Sequence, residues 1–251
     1  MHAWNSFFYS LYVIAAWAMT LFSLVMIAQG QWLWSGVLLA WLPLQLVNVW
    51  RRYRAPVFIE DERETLAMAM GLLGLAILLV GGDRSWPLAL GGLGIACLLV
   101  YRFFWSSVKP GVRATEADTS VLAPLASEKQ PTLVLFMRGE TCPFSQMVVR
   151  DTAAFAEEAA ELKGLQIVYL YPQSSIAGAE PAWADALGIN LRGGAPWSWS
   201  FAGRGKDTLS PAIALLDSQG KCLFWDRASN YRLPPTPRNR WSKIAARLRQ
   251  L

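Results

Sequence analysis

The chain has very few of the side chains that build metal sites and catalytic triads. Among its 251 residues there is one histidine, His2, and there are three cysteines, no two of which have the C-x-x-C spacing. A His/Cys metal site and a triad that needs a histidine base are therefore not expected. The cysteine pattern is also not that of a disulfide scaffold. We expect neither a metal nor a cofactor.

Charge is scarce too, and it is unevenly distributed. Charged residues make up 16% of the chain, and residues 1–108 are almost continuously apolar. Uncharged stretches lie at 5–28, 31–50 and 65–81, and a fourth apolar stretch, 86–105, carries only Arg102 near its end. A helix needs about 20 apolar residues to cross a bilayer, so the pattern predicts four transmembrane helices within 1–108. No Asp, Glu, Lys or Arg lies in the middle of a predicted span, so we expect the spans to serve as an anchor. The alternative is a role of the spans in transport or lipid handling, with a soluble domain that senses redox state.

The basic residues near the predicted spans indicate the orientation. Arg84 is alone on one side. The opposite side carries Arg51, Arg52, Arg54, Arg63, Arg102, Lys109 and Arg113. Cytoplasmic loops are enriched in Lys and Arg. We therefore expect both termini and the soluble domain in the cytoplasm, with the lipid bilayer of the plasma or bacterial inner membrane as a partner.

Residues 109–130 are rich in Ser, Pro, Thr and Ala and predict a linker. The rest, 131–251, has the pattern of an α/β domain of order β-α-β-α-β-β-α. Strands are predicted at 132–137, 165–171, 212–217 and 221–225, helices at 143–162, 181–187 and 238–250, and an irregular segment at 189–209. A helical crossover makes the first two strands parallel, and the short turn at 218–220 makes the last two a hairpin.

One cysteine has a sequence context that favours chemistry. A buried strand ends at Arg138-Gly139, and Cys142 directly precedes Pro143, which suits the first position of a helix. Cys142 is therefore predicted as a helix N-cap, where the helix dipole and free N–H groups favour a thiolate. Arg138 adds positive charge nearby.

Two strings carry a resemblance to a known family. Phe136-Met-Arg-Gly-Glu-Thr-Cys142-Pro-Phe-Ser145 resembles the F-x-R-G-x-x-C-P-[FY]-C segment of the peroxiredoxin-like branch (alkyl hydroperoxide reductase/thiol-specific antioxidant type) of the thioredoxin fold. Ser210-Pro211-Ala-Ile-Ala-Leu-Leu-Asp217-Ser-Gln-Gly220 resembles its x-P-A-x-x-x-x-D-x-x-G stretch. The resemblance covers 131–251. It implies a thioredoxin-like domain in which Pro211, commonly preceded by a cis peptide in that family, faces Cys142 and aligns a substrate.

The chain departs from the family pattern beside the cysteine. Ser145 replaces the second cysteine of the C-x-x-C motif, and Gly139 occupies the threonine position of the T-x-x-C pattern; Thr141 is adjacent and is the remaining candidate. A disulfide within the motif is therefore impossible. A resolving thiol would have to come from Cys222, from another chain or from a small thiol, although Cys222 also fits an ordinary buried strand residue.

The resemblance implies an oxidoreductase that uses Cys142 to reduce a peroxide or a disulfide and is regenerated by an external thiol, and the predicted spans would anchor it in the membrane. The alternative is a thioredoxin-like domain that has lost turnover and serves as a binding or assembly module of a membrane complex. The basic C-terminal helix suits either solvent or an anionic lipid surface. No nucleic-acid partner is expected, because no motif accompanies the charge.

Overall fold

The structure is a computed structural model of the chain. The residues that it describes are 2–54, 65–81, 85–105, 118–140, 142–159, 164–174, 182–191, 207–228 and 234–251. These residues form two compact units. One contains residues 3–107 and the other contains residues 108–195 and 203–251.

The first unit consists of helices, as the uncharged stretches predicted. They are α1 (His2–Ala28), α2 (Trp34–Arg54), α3 (Thr65–Val80) and α4 (Ser85–Val100), which continues into a π-helical turn, Tyr101–Trp105. Two helices are long and apolar enough to cross a membrane, over Ser10–Ala28 and Trp86–Phe103. The apolar parts of the other two, Trp34–Trp50 and Thr65–Val80, are shorter.

Glycines let the helices of this unit approach closely. A Cβ placed on Gly74 would lie 2.5 Å from the carbonyl oxygen of Gly36, and one on Gly36 would lie 2.7 Å from the carbonyl oxygen of Gly74. Side chains other than hydrogen are therefore excluded where α2 crosses α3. Trp41 of α2 packs its ring against Gly94 of α4, and its indole N–H donates to the Leu90 carbonyl at 2.9 Å.

The second unit is built on a mixed four-stranded sheet. Its strands are β1 (Thr132–Phe136), β2 (Gln166–Leu170), β5 (Ala212–Leu216) and β6 (Cys222–Arg227), in the order β2-β1-β5-β6. The β1–β2 pair is parallel, whereas β5 is antiparallel to both β1 and β6. The predicted parallel pair and the predicted hairpin are therefore both confirmed.

Helices cover both faces of this sheet. On one face, α5 (Pro143–Glu158) and α7 (Pro237–Leu248) pack against side chains that include Leu133, Leu135 and Leu215. On the other face, α6 (Ala182–Ala186) and its neighbours pack against Val134, Ala214 and other residues. Since β1 and β5 are buried on both faces, they carry continuous apolar runs.

The structure differs from the sequence prediction at the linker. Residues 119–125 form a 3-10 helix, and Leu122 is fully buried in the core beside Trp183 and Leu187. The carboxylate of Asp118 caps this helix by accepting from the Ser120 N–H at 3.1 Å. The predicted linker therefore extends too far, because the apolar run Val121–Leu125 is only five residues long and shows no helical or strand period in the sequence.

A second difference lies in the segment predicted as irregular. Its ends form a short antiparallel pair, β3 (Asn190–Leu191) and β4 (Thr208–Leu209). The Ser210 N–H donates to the Ile189 carbonyl at 2.7 Å and extends this pair toward β5. Two-residue strands are too short to show alternation in sequence, and residues 192–206 lie outside the described residues.

Candidate active site

The sheet register brings several of the predicted site residues to one end of the sheet. Phe136, the last residue of β1, pairs with Leu170, the last of β2, and with Ala212, the first of β5. The segment 138–142 follows β1, and Pro211 precedes β5. Both therefore adjoin the same end of the sheet.

Cys142 caps α5 as predicted. Its backbone is extended, with φ −69° and ψ 123°, and Pro143 follows at the first helical position. Its N–H donates to the Gly139 carbonyl at 3.1 Å, and its carbonyl accepts from the Gln146 N–H at 3.0 Å. The thiol makes no capping hydrogen bond, and the residue is only 2% exposed. The cysteine therefore lies at the helix N-terminus and is covered in this conformation.

The other predicted site residues have different surroundings. Arg138 is half-buried and follows Met137, whose N–H donates to the Leu170 carbonyl at 2.8 Å. Thr141 lies outside the described residues. Ser145, at the position of the family's second cysteine, is buried in the first turn of α5. A hydroxyl there supports no disulfide with Cys142.

Pro211 is buried, but the geometry that is common in the resembling family is not found. The peptide bond before Pro211 is trans, since the described residues contain no cis peptide bond. The Pro211 carbonyl accepts from the Ala228 N–H at 2.8 Å and extends the β5–β6 ladder by one bond. Pro211 thus continues the strand geometry of the sheet.

The sequence interpretation missed a tyrosine at this end of the sheet. Burial and the negative charge of Glu140 raise the pKa of Tyr171, which follows β2. The Tyr171 N–H donates to the Ser174 hydroxyl at 2.9 Å, and the Trp183 indole donates to the Ser174 carbonyl at 3.1 Å. Parallel strands end on the same edge of a sheet, so a tyrosine as the last residue of the predicted strand 165–171 was the available signal.

Aromatic side chains pack against one another at this end of the sheet. Phe136 lies between Trp183 and Trp225, with ring centroids 5.9 Å and 5.4 Å away. Such pairs are stabilising beyond the apolar area they bury. The strand end from which the Cys142 segment departs is therefore held by a packed cluster.

Cys222 lies at the opposite end of the sheet. It pairs with Leu216, and Leu216 pairs with Thr132, the first residue of β1. A strand rises about 3.3 Å per residue, so the length of β1 alone separates the two cysteines by about 13 Å. A disulfide needs Cα atoms within about 7 Å. A resolving role for Cys222 toward Cys142 of the same chain is therefore wrong for this fold.

The environment of Cys222 is that of a structural thiol. Its S–H donates to the Phe224 carbonyl at 3.2 Å, and burial raises the pKa of the thiol. Burial thus favours the neutral form of the thiol. The simpler interpretation of Cys222, a buried strand residue, fits this geometry.

No protein-family profile, curated protein sequence or solved structure matches this chain. A function can therefore be proposed only from the residues and geometry of the chain itself.

Proposed function

We propose that this protein is a membrane-anchored thiol oxidoreductase in which Cys142 is the single active cysteine. In this proposal the four helices of the first unit cross the plasma or inner membrane. The second unit is a thioredoxin-like domain of peroxiredoxin-like type that faces the cytoplasm. Its substrate is a peroxide or a disulfide.

One observation carries the proposal: Cys142 is the N-cap of α5 at the end of β1. Backbone N–H groups of the first helical turn have no partner within the helix, and an N-cap residue lies at the positive end of the helix dipole. Such positions favour the nucleophilic thiolate. Arg138, which lies in the segment between β1 and α5, adds a cation to that segment.

The topology supports a thioredoxin-like assignment. The order β-α-β-α-β-β-α of the main elements, the parallel β1–β2 pair and the β5–β6 hairpin are those that the resemblance implies. The helix that follows β1 is the one that Cys142 caps. The short β3–β4 pair and the 3-10 helix are additions to that plan.

The proposed chemistry is a two-electron exchange at sulfur. The Cys142 thiolate attacks one peroxide oxygen, the O–O bond breaks, and the leaving alkoxide takes a proton and departs as an alcohol. The resulting sulfenic acid condenses with a first external thiol and releases water. A second external thiol then attacks the mixed disulfide and restores the Cys142 thiol. The reductant is thus a thioredoxin-like protein or a small thiol, because Ser145 supplies no second sulfur.

The test is the alkylation rate of Cys142 as a function of pH, on the full chain with Cys97→Ala and Cys222→Ser. The chain offers a matched control: Cys222 alone, with Cys97→Ala and Cys142→Ser. We expect Cys142 to react at a clearly lower pH than Cys222, and Arg138→Ala to reduce the difference. Hydroperoxide consumption and trapping of a sulfenic acid should both disappear in Cys142→Ser.

A second function, a binding or assembly module, is favoured by the 2% exposure of Cys142. It predicts a thiol that is no more reactive than Cys222 and no consumption of peroxide or disulfide. That result would contradict the oxidoreductase proposal and leave the thioredoxin-like domain as a docking unit. A reactive Cys142 would contradict the module instead.

A further inference from the structure

We propose that the exposed face of α7 binds anionic phospholipid headgroups. The inference rests on the membrane anchoring proposed above and is independent of the chemistry of Cys142. It concerns a groove of about 260 Å³ between α7 and β6, lined by Phe224, Lys243, Ala246, Arg247 and Gln250. We call this the α7 groove.

The two faces of α7 have different chemistry. Ile244 is fully buried, and Trp241 and Leu248 pack beside it against α5 and the sheet. Lys243, Ala246, Arg247 and Gln250 recur at three- and four-residue spacing and are exposed, so they share the opposite face. The exposed face thus places two cations, four residues apart, on either side of a small residue.

The basic residues of the first turn are already used inside the domain. Arg238 donates to Asp151 at 3.0 Å and to both carboxylate oxygens of Glu158 at 2.6 and 2.9 Å, and it lies over the Phe155 ring. Arg240 forms an ion pair with Asp226. These contacts fix α7 to α5 and β6, so the later cations are held outward by a docked helix.

Nothing on α7 neutralises these later cations. The chain has no Asp or Glu after Asp226, and residues 227–251 contain seven Lys and Arg. Arg247 donates only to Gln250 in the described contacts, at 3.2 Å. A pair of cations beside an apolar floor formed by Phe224 and Ala246 complements a phosphate with its adjoining glycerol and acyl carbons. An anionic lipid surface also lies within reach of a domain anchored in a bilayer, which favours lipid over other polyanions.

The test uses the full chain in nanodiscs of phosphatidylcholine, with or without phosphatidylglycerol. The native cysteines are replaced (Cys97→Ala, Cys142→Ser, Cys222→Ser), and Gln250→Cys carries an environment-sensitive fluorophore. Headgroup-spin-labelled lipid then quenches the fluorophore when α7 lies at the surface. The variant is Lys243→Gln/Arg247→Gln. The matched control is Lys129→Gln/Lys221→Gln, which removes two exposed charges elsewhere in the same unit.

We expect strong quenching only with phosphatidylglycerol, and loss of it at high salt. Each basic residue near an anionic surface contributes about a fivefold factor, so the Lys243/Arg247 variant should lower the ratio of docked to undocked α7 about 25-fold. The control should keep the quenching of the parent chain.

Three results would overturn the proposal. The first is equal quenching in neutral and anionic nanodiscs, and the second is unchanged quenching in the Lys243/Arg247 variant. The third is a loss of quenching in the Lys129/Lys221 control as large as the loss in that variant. If an oligonucleotide binds the parent chain but not the variant, and phosphatidylglycerol has no effect on the quenching, the ligand of the α7 groove is a nucleic acid and the lipid proposal is wrong. A chain that does not enter nanodiscs contradicts the proposed anchor, whereas one that enters without quenching contradicts only the α7 proposal.

Discussion

Replacing Leu122 by alanine tests whether the segment before the predicted domain belongs to the folded core. Leu122 is fully buried in the cluster that covers one face of the sheet. The segment also contacts two other elements. The Asp118 N–H donates to the Ala186 carbonyl at 3.3 Å, and Gly220, in the β5–β6 turn, lies so close that a Cβ there would be 2.8 Å from Ala123.

The expected cost follows from this burial. Truncating a fully buried leucine to alanine costs about 2–5 kcal/mol, through lost apolar transfer and the cavity left behind. Folded domains of ordinary size are stable by about 5–15 kcal/mol. Leu122→Ala should therefore remove about 3 kcal/mol, a large part of the stability of the second unit. A linker residue would cost almost nothing.

Native-state hydrogen exchange of the β5 amides in the full chain is the assay, because β5 is buried on both faces and reports the opening of this unit. Glu128→Ala, an exposed position in the same segment, is the matched control and should change the opening free energy by less than about 0.5 kcal/mol. If Leu122→Ala changes it as little as the control does, residues 118–130 are a linker and the packing argument is refuted.

Three further outcomes follow from the geometry. Gly74→Ala should lower the free energy of unfolding of the first unit in detergent by about 1–3 kcal/mol, because the new Cβ meets the backbone of α2. Gly92→Ala should leave this free energy unchanged, because the space around Gly92 is open. Equal effects of the two substitutions would refute the close crossing of α2 and α3. The hydrogen bond to Arg238 of α7 lowers the pKa of Glu158, so the stability that this carboxylate contributes is complete above its ordinary pKa and is lost as the pH falls through the lowered pKa. Glu158→Gln should remove this part of the dependence of the unfolding free energy on pH. An unchanged dependence on pH would contradict the ion pair. Glu140→Gln should lower the pKa of Tyr171 in a phenolate absorbance titration, since it removes a nearby negative charge; an unaltered titration would mean that the two side chains are not neighbours.

The sequence alone determined the local features of this protein. Uncharged runs marked the four helices of the first unit, and the order strand, glycine turn, cysteine and proline marked Cys142 as an N-cap. Each depends on residues a few positions apart, and hydrophobic period, turn residues and capping preferences act over that range. The β-α-β-α-β-β-α order followed from the same signals.

The tertiary structure decided which distant residues meet. It placed Leu122 in the core, put Cys222 at the end of the sheet remote from Cys142, and brought Glu140 close enough for its charge to raise the pKa of Tyr171. It also divided the arginines of α7 between ion pairs inside the domain and an exposed face. These outcomes depend on strand register and helix docking between segments tens of residues apart. No local pattern encodes such pairings, because the free energy of each contact depends on the partner that the fold supplies.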